Sequence, residues 1–339
     1  MEFGRSQKSE ARCQMSEVLT RTDSRSPNPV VSLCLGGESP IRFLGSLAAV
    51  GVAVLLLTGC VGVGRVEPVS AYAQLEPEAT VELGSSAAAI GQDGETLLVL
   101  ENSGTRVVRY SFRDSALGTV PPETMNDERG TLNVGGRALS ILDTIPLTDR
   151  VTAPAGIATD RFYLYIYDDH TLYRTSKDKL NLQPWLGDVR VAGLASFEPG
   201  IMLVSDADRN VIWYKGLFGE SRLFLSSAEA ARPAAMVALR DGGFAVLRPA
   251  SRLLLFLNRS GVVMRSVSLP AACDLLAANE QGTLCMGVRG KPQVWVLEAG
   301  KMTGYSLPDS VSPLSFAVVG NRLVVLDAGT RLGVYRIAE

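Results

Sequence analysis

Six segments of the chain share one pattern of apolar and polar positions. Each begins with a short strand of small residues that ends in an apolar residue and an alanine, and a turn, a second apolar strand, a polar loop and a third strand follow. The segment beginning at Pro154 is the clearest, with Ala158 ending its first strand, residues 163–166 forming the second and Leu172 in the third. Short apolar strands separated by turn residues predict an all-β fold.

The six segments recur at a nearly constant spacing. The alanines that end their first strands are 69, 37, 43, 39 and 40 residues apart, and they are Ala89, Ala158, Ala195, Ala238, Ala277 and Ala317. Repeats of about 40 residues with several strands each predict a β-propeller. We therefore expect a six-bladed β-propeller over residues 79–339, closed by an N-terminal strand at 79–83 that completes the last blade.

The first repeat is longer than the others, by about 20 residues. The excess lies in 113–150, where paired prolines and glycines interrupt a polar stretch, so we predict an insertion in the first blade. An insertion of this length is too short for another blade, which favours six blades over seven. Alanine recurs on the first strands because the sheets converge near the axis, where a larger side chain would collide with its neighbours.

The N-terminal region has the pattern of a bacterial secretory signal. Arg42 precedes an uncharged apolar run over 43–57, and the tetrapeptide Leu-Thr-Gly-Cys then ends at Cys60. This tetrapeptide resembles the lipobox of bacterial lipoproteins, which implies that Cys60 is lipidated on its sulfur and becomes the new N-terminus. The alternative is a signal-anchor helix, because the 22 residues of 43–64 carry no charge and are long enough to span a bilayer.

On the lipoprotein interpretation the chain has three parts. Residues 1–59 are a leader and signal peptide, 60–78 a lipidated tether and 79–339 the propeller. Val61 follows the cysteine in place of the aspartate that favours inner-membrane retention in similar lipoproteins. The resemblance therefore implies an anchor in the outer membrane, with the domain facing the periplasm or the exterior.

Composition and cysteine content narrow the classes of function. The chain has 33 Lys and Arg against 35 Asp and Glu and no basic cluster, so we expect no nucleic acid as a partner. After Cys60 only Cys273 and Cys285 remain. On adjacent strands, with Cys285 opposite Leu276 or Ala277, they would lie about 10 Å apart along the strand and are predicted to be buried free thiols.

The repeats resemble NHL repeats, a family of bacterial and eukaryotic propellers. Residues 154–158 are similar to the inner strand of that family, and residues 203–214 to its strand–turn–strand, with Asp206, Asp208 and Asn210 in the turn. Residues 326–331 show the same turn. The resemblance covers roughly 85–339 and implies a propeller with a binding role.

Candidate chemistry is sparse. The turn from Asp206 to Asn210 begins with the spacing of a calcium loop but lacks its glycine and its final glutamate, so an Asx-type turn is the expectation. His170, the single histidine, lacks a nucleophile motif beside it and is predicted to lie in a solvated loop. No metal or other cofactor is expected. The alternative is a gluconolactonase-like hydrolase, which would hold calcium at the channel mouth, although Asp274 is nearly alone among acids on the inner strands.

Three of the loops that link one blade to the next contain an arginine at a similar position. Arg150, Arg190 and Arg232 stand eight, five and six residues before successive first-strand alanines, which would place them near the rim of the channel. Guanidinium groups suit carboxylate and phosphate partners, whereas an ordinary solvated charge mixture would also produce this pattern. We therefore expect a lipid-anchored envelope propeller that acts as a binding or assembly scaffold for a protein or an anionic ligand.

Overall fold

Six β-sheets, each of four or five strands, are arranged as the blades of a propeller. The computed structural model describes residues 63–64, 72–113, 131–134, 137–177, 181–225 and 232–337, and all of them belong to the unit Cys60–Glu339. The first strands of the six blades contact one another in a closed ring, blade 1 to blade 6 and back to blade 1. The predicted all-β, six-bladed propeller is confirmed.

Blades 1 to 3 follow one another along the chain, and their strands run in sequence order outward from the axis except at the edge of blade 1. Blade 1 consists of Ala87–Asp93, Thr96–Glu101, Arg106–Arg113, Arg137–Pro146 and Thr131–Val134. Blade 2 consists of Gly156–Thr159, Tyr163–Tyr167, Thr171–Ser176 and Gln183–Gly187. Blade 3 consists of Val191–Glu198, Ile201–Asp206, Val211–Lys215 and Ser221–Leu225.

Blades 4 to 6 each take their outermost strand from the N-terminal part of the chain. Blade 4 consists of Met236–Ala238, Phe244–Arg248, Leu253–Leu257, Val263–Ser268 and Val63–Gly64, with a 3-10 helix at Pro249–Ser251. Blade 5 consists of Leu275–Ala278, Leu284–Gly287, Gln293–Glu298, Lys301–Ser306 and Ala73–Gln74. Blade 6 consists of Pro313–Val319, Arg322–Asp327, Arg331–Arg336 and Pro77–Glu82.

The added N-terminal strands pair in two ways. Val63–Gly64 and Ala73–Gln74 run parallel to the fourth strands of blades 4 and 5, although the sequence assigns both to the tether 60–78. Pro77–Glu82 pairs antiparallel with Arg331–Arg336, and Val81 lies opposite Leu332. Residues 114–130 and 135–136 of the predicted insertion 113–150 lie outside the described residues. Within it, Arg137–Pro146 and Thr131–Val134 form the fourth and fifth strands of blade 1.

The antiparallel order gives each blade two ends. The loops that link blades and the turns between second and third strands lie on one end, which we call the linking face. The turns between first and second strands and between third and fourth strands lie on the other, which we call the hairpin face. Every fourth strand therefore runs from the hairpin face to the linking face.

Neighbouring blades share a hydrophobic core, and the described residues form six such cores, one for each pair of neighbours. The second strand of blade 1 shows how this works, because Leu97 and Val99 pack against blade 6 while Leu98 and Leu100 pack against blade 2. Since both faces of such a strand are buried, its sequence is apolar at consecutive positions instead of alternating. This explains the uninterrupted apolar second strands.

Room for side chains is most limited near the axis. A Cβ atom added to Gly193 of blade 3 would lie 2.7 Å from the carbonyl oxygen of Ala234 and 2.9 Å from the Cα of Ala235, at the start of blade 4. These obstacles are backbone atoms and cannot rotate away. A Cβ atom added to Gly156 would lie 2.1 Å from the ring of Tyr167. The small residues of the first strands thus meet a packing requirement, as the sequence predicts.

Candidate binding faces and the central channel

Three buried carboxylates lie on the linking face, each at the end of a second strand. Glu101, Asp206 and Asp327 are 5%, 0% and 3% exposed. A buried carboxylate is costly unless hydrogen bonds satisfy its oxygens. The partners of these three groups determine how the linking face is held together.

Asp206 organises the turn of blade 3. One carboxylate oxygen accepts the backbone N–H groups of Asp208 and Arg209, both at 3.1 Å. The other accepts the indole N–H of Trp213 at 3.1 Å and a guanidinium N–H of Arg209 at 2.9 Å. Burial alone would raise the pKa of Asp206, but the hydrogen bonds from Arg209 and Trp213 outweigh it and the pKa is lowered. The turn is the Asx-type turn expected from the sequence.

Glu101 and Asp327 each bind the arginine at the start of the third strand of their own blade and also contact the preceding linking loop. Glu101 accepts the Nε–H of Arg106 at 2.5 Å and the hydroxyl of Ser85, in the loop that leads into blade 1. Burial opposes ionisation of Glu101, but these hydrogen bonds and the Arg106 charge lower its pKa. Asp327 pairs with Arg331 and accepts the backbone N–H of Ser312 at 2.7 Å, in the loop into blade 6.

These pairs hold guanidinium groups at fixed positions on the linking face, and the sequence does not reveal that these groups are bound to buried acids. The guanidinium side chains of Arg106, Arg209 and Arg331 are 51%, 53% and 37% exposed although each is bound to a buried acid. In blade 3 Arg209 also donates to the carbonyl oxygen of Asp188, in the loop that leads into that blade, at 2.6 Å. The available signal was an acid at the end of a second strand with an arginine three to five residues later.

The structure places the three predicted arginines in successive linking loops on the linking face. Arg150 is exposed and donates from Nε to the carbonyl oxygen of Ser103 at 3.1 Å. Arg190 is 62% exposed, and its guanidinium lies 3.5 Å from the exposed carboxylate of Asp208. Arg232 is exposed and has a φ of 60°. None of the three is among the residues that line the channel.

The channel at the axis encloses about 890 Å³ and is lined by the first strands of all six blades. Alanines and other small or apolar residues form most of its wall. Its linking-face end carries Tyr167, Asp274 and Arg289. Its hairpin-face end carries polar side chains from four blades, which are Gln92, Asp93, Asp160, Arg161, Arg240, Asn279, Glu280 and Gln281. Among the described residues no group of three or more His, Cys, Asp or Glu could hold a metal ion.

Many polar groups near the channel already have partners. Asp274 accepts the backbone N–H of Arg289 at 2.8 Å. At the other end Asp93 pairs with Lys177 at 2.7 Å. Asp160 accepts the hydroxyl of Tyr165 at 2.7 Å and the backbone N–H of Gly200 at 2.6 Å. These acids therefore connect elements of the propeller.

The remaining sequence candidates occupy simple environments. His170 is exposed, and its backbone N–H donates to Asp168 in the turn. Cys273 and Cys285 are buried free thiols, as predicted, and Cys285 lies opposite Ala277. Burial raises the pKa of Cys273 to about 12 and also raises that of Cys285, so both are protonated at neutral pH.

Cys60 lies outside the described residues. Within the part of the chain that the structure describes, no helix has the length and apolar character needed to cross a membrane.

Comparison with known proteins gives the fold. No family model matches the chain, and no curated protein matches it. Virginiamycin B lyase from Staphylococcus aureus is similar in structure with a TM-score of 0.54 and 11% identity, over 76% of this chain and 98% of that one. The WD40 β-propeller domain of Doa1 is similar with a TM-score of 0.54 and 13% identity, over 79% of this chain and 98% of that one. These likenesses identify the chain as a β-propeller.

The Asp206 network predicts a specific loss of stability. Asp206→Ala leaves the indole of Trp213 and two backbone N–H groups without their acceptor, so we expect unfolding to become easier by about 1–3 kcal/mol at pH 7. Because the pKa of Asp206 is lowered on folding, the contribution of its ionised form is complete above the ordinary aspartate pKa of about 4 and is lost as pH falls through the lower pKa of the folded state. Urea unfolding at pH 7 and pH 3 should therefore show a smaller difference from wild type at pH 3.

Asp208→Ala is the matched control in the same turn, since the Asp208 side chain is 65% exposed. We expect this change to cost less than about 0.5 kcal/mol. Equal losses for the two variants would show that Asp206 does not hold the turn.

Proposed function

We propose that this chain is a lipid-anchored envelope propeller whose linking face binds a protein or an anionic ligand as a binding or assembly scaffold. The observation that carries the proposal is the exposure of Arg150, Arg190 and Arg232 in three successive linking loops of one face. Such guanidinium groups can form paired hydrogen bonds with carboxylates or phosphates. The NHL-like repeats of the sequence support the same role.

The bound arginines nearby support a prearranged surface. Arg106, Arg209 and Arg331 are held by buried carboxylates on the same face, while their side chains remain partly exposed. Groups that are fixed before binding lose less conformational freedom when a partner arrives. A partner with several acidic groups could therefore contact arginines from several blades at once.

The membrane anchor in this proposal is the lipid on Cys60. The apolar run 43–57 and the tetrapeptide that ends at Cys60 support it, and Val61 supports an outer-membrane destination with the propeller facing the periplasm or the exterior. On this proposal residues 1–59 are removed during maturation. The membrane is then one partner of the protein, and an envelope component bound at the linking face is the other.

The decisive change is the simultaneous replacement of Arg150, Arg190 and Arg232 by Ala. Stability should stay within about 0.5 kcal/mol of wild type, because exposed charges contribute little. Recovery of envelope partners by affinity capture should fall, and the fall should be largest at low salt, where attraction is least screened. Partners would be identified by mass spectrometry of the captured material.

A triple alanine variant of arginines from the hairpin face provides the control, and its positions are Arg161, Arg240 and Arg259. This control should recover partners as wild type does. Recovery at wild-type yield by the linking-face variant in low salt would move the binding site elsewhere, first to the insertion 113–150.

We also propose that the pairing of Pro77–Glu82 with Arg331–Arg336 closes the propeller. Val81 is 1% exposed and packs in the core between blades 6 and 1. Val81→Asp would bury an unpaired charge and should lower the free energy of unfolding by at least about 3 kcal/mol. Thr80→Asp is the control on the exposed side of the same strand, and a similar loss in both variants in urea unfolding would argue against closure by this strand.

The alternative function is a calcium-dependent, gluconolactonase-like hydrolase. The acid and amide side chains at the hairpin-face end of the channel, such as Asp93, Asn279 and Glu280, favour it. The pairing of Asp93 with Lys177 favours the scaffold, because this carboxylate is already bound to an ammonium group. On the scaffold proposal, millimolar calcium should leave the melting temperature unchanged and the protein should not turn over lactones. A calcium-dependent rise in melting temperature together with lactone turnover would establish the hydrolase.

A further inference from the structure

Exposed large apolar side chains concentrate on blades 2 to 4. Of seven such side chains among the described residues, five belong to these blades, and they are Phe162, Phe218, Leu223, Val262 and Met264. Phe162, Phe218 and Val262 lie in turns of the hairpin face, and Met264 follows Val262 at the start of a fourth strand. We call these four residues the hairpin patch. Clustered exposed apolar groups mark contact surfaces, whereas scattered ones do not.

The turns that carry the two phenylalanines are bridged across blades 2 and 3 by the side chain of Arg174. The guanidinium of Arg174 stacks 4.7 Å from the ring centre of Tyr163, the neighbour of Phe162. The same group donates to the carbonyl oxygen of Leu217, the neighbour of Phe218, at 3.3 Å. The two rings therefore belong to one surface.

Hydrogen bonds fix the conformation of both turns. The carboxylate of Asp160 accepts the backbone N–H of Phe162 at 2.7 Å. The ammonium group of Lys215 donates to the carbonyl oxygen of Gly219 at 2.6 Å, and the backbone N–H of Phe218 donates to the Glu220 carboxylate at 3.2 Å. The Phe218 residue is nevertheless 93% exposed. Because this turn is already ordered, burial of the Phe218 ring against another surface would release its transfer free energy without the cost of ordering the turn.

The course of the chain identifies what covers the patch. Val63–Gly64 runs parallel to the fourth strand of blade 4, with Val63 opposite Ser266. Because fourth strands run from the hairpin face to the linking face, the chain enters Val63 from the side of the hairpin face. Cys60 precedes Val63 by three residues, and three residues span at most about 10 Å. A lipid on Cys60 would thus emerge at the edge of blade 4 where Val262 and Met264 are exposed.

We infer that the hairpin patch rests on the surface of the bilayer that holds the lipid of Cys60. This inference relies on the lipid anchor of the proposed function. Phenylalanine and other apolar side chains at turn tips can insert at the interface, where they exchange water for acyl chains. The charges around the patch are mixed, because the same face carries Arg161, Arg240 and Arg259 as well as Glu198, Glu220 and Asp241. Of these, Arg259 pairs with Glu198 at 2.7 Å. Apolar burial and the covalent lipid therefore provide the attraction, and net charge does not.

Contact between the hairpin patch and the bilayer would also orient the scaffold. With the hairpin face on the membrane, the linking face and its exposed arginines point away from the bilayer. The binding surface is then open to partners in the surrounding compartment. Contact of the hairpin face with the membrane would therefore not block the linking face.

The test uses the mature protein purified from its own envelope and reconstituted in vesicles of phosphatidylethanolamine and phosphatidylglycerol with brominated acyl chains. Phe218→Trp places a fluorescent ring on the patch, and His170→Trp places one in an exposed turn of the linking face. Each signal is read as the difference from wild type, which carries three tryptophans. We expect bromine to quench most of the added fluorescence of Phe218→Trp and none of that of His170→Trp.

Sedimentation of the same vesicles separates this inference from the anchor. Wild type should pellet with the vesicles and Cys60→Ala should not. Retention of Cys60→Ala after a high-salt wash would contradict the lipid anchor in favour of a signal-anchor helix, while the quenching pattern still decides which face meets the bilayer. Pelleted protein with Phe218→Trp unquenched, or with His170→Trp quenched, overturns the inference. Failure of wild type to pellet overturns both proposals.

Discussion

Crowding at the axis is the constraint on which the rest of this propeller depends. Six first strands meet in a ring, and at Gly193 the backbones of blades 3 and 4 approach so closely that a single Cβ atom would overlap a carbonyl oxygen. Small residues are therefore required there. Each second strand, just outside the ring, is buried on both sides between neighbouring blades, which requires an apolar residue at nearly every position. These demands leave the turns as the part of each repeat that is free to differ.

The turns of the two faces differ in the side chains that they carry. On the linking face, buried carboxylates such as Asp206 and Asp327 hold turns and linking loops together, and their arginine partners reach solvent. On the hairpin face of blades 2 to 4, ordered turns present apolar side chains, most of all Phe218. In the proposed arrangement the arginines of the linking face would meet the soluble partner, and the apolar side chains of the hairpin patch would meet the membrane.

Much of the fold could be predicted from the sequence because the blades repeat. The spacing of the alanines predicts the number of blades, and counting outward from a turn places Cys285 opposite Leu276 or Ala277, the second of which the structure shows. Pairing of the two-residue strands Val63–Gly64 and Ala73–Gln74 could not be predicted in this way. Such short strands carry no apolar alternation, and their partners are set by which blade edge the chain passes in space.

The candidate site was less predictable for a related reason. The sequence marks Arg150, Arg190 and Arg232 by their distance from an alanine, but it does not reveal that Arg209 and Arg331 are bound to buried acids, since burial depends on neighbouring loops. The repeat period also does not predict the exposed Phe218, because it lies in a turn, where the repeat pattern sets no requirement for an apolar side chain. Features set by contacts between blades thus become visible only in three dimensions.

The mass of the N-terminal peptide of the mature protein tests most directly whether a lipid holds the propeller to the envelope. The protein would be isolated from its own membranes and digested, and the peptide that contains Cys60 analysed by mass spectrometry. A lipid-anchored propeller should begin at Cys60 and carry the added mass of a diacylglyceryl group, with no peptide from 1–59 recovered. A continuous peptide that crosses from Gly59 to an unmodified Cys60 would contradict it.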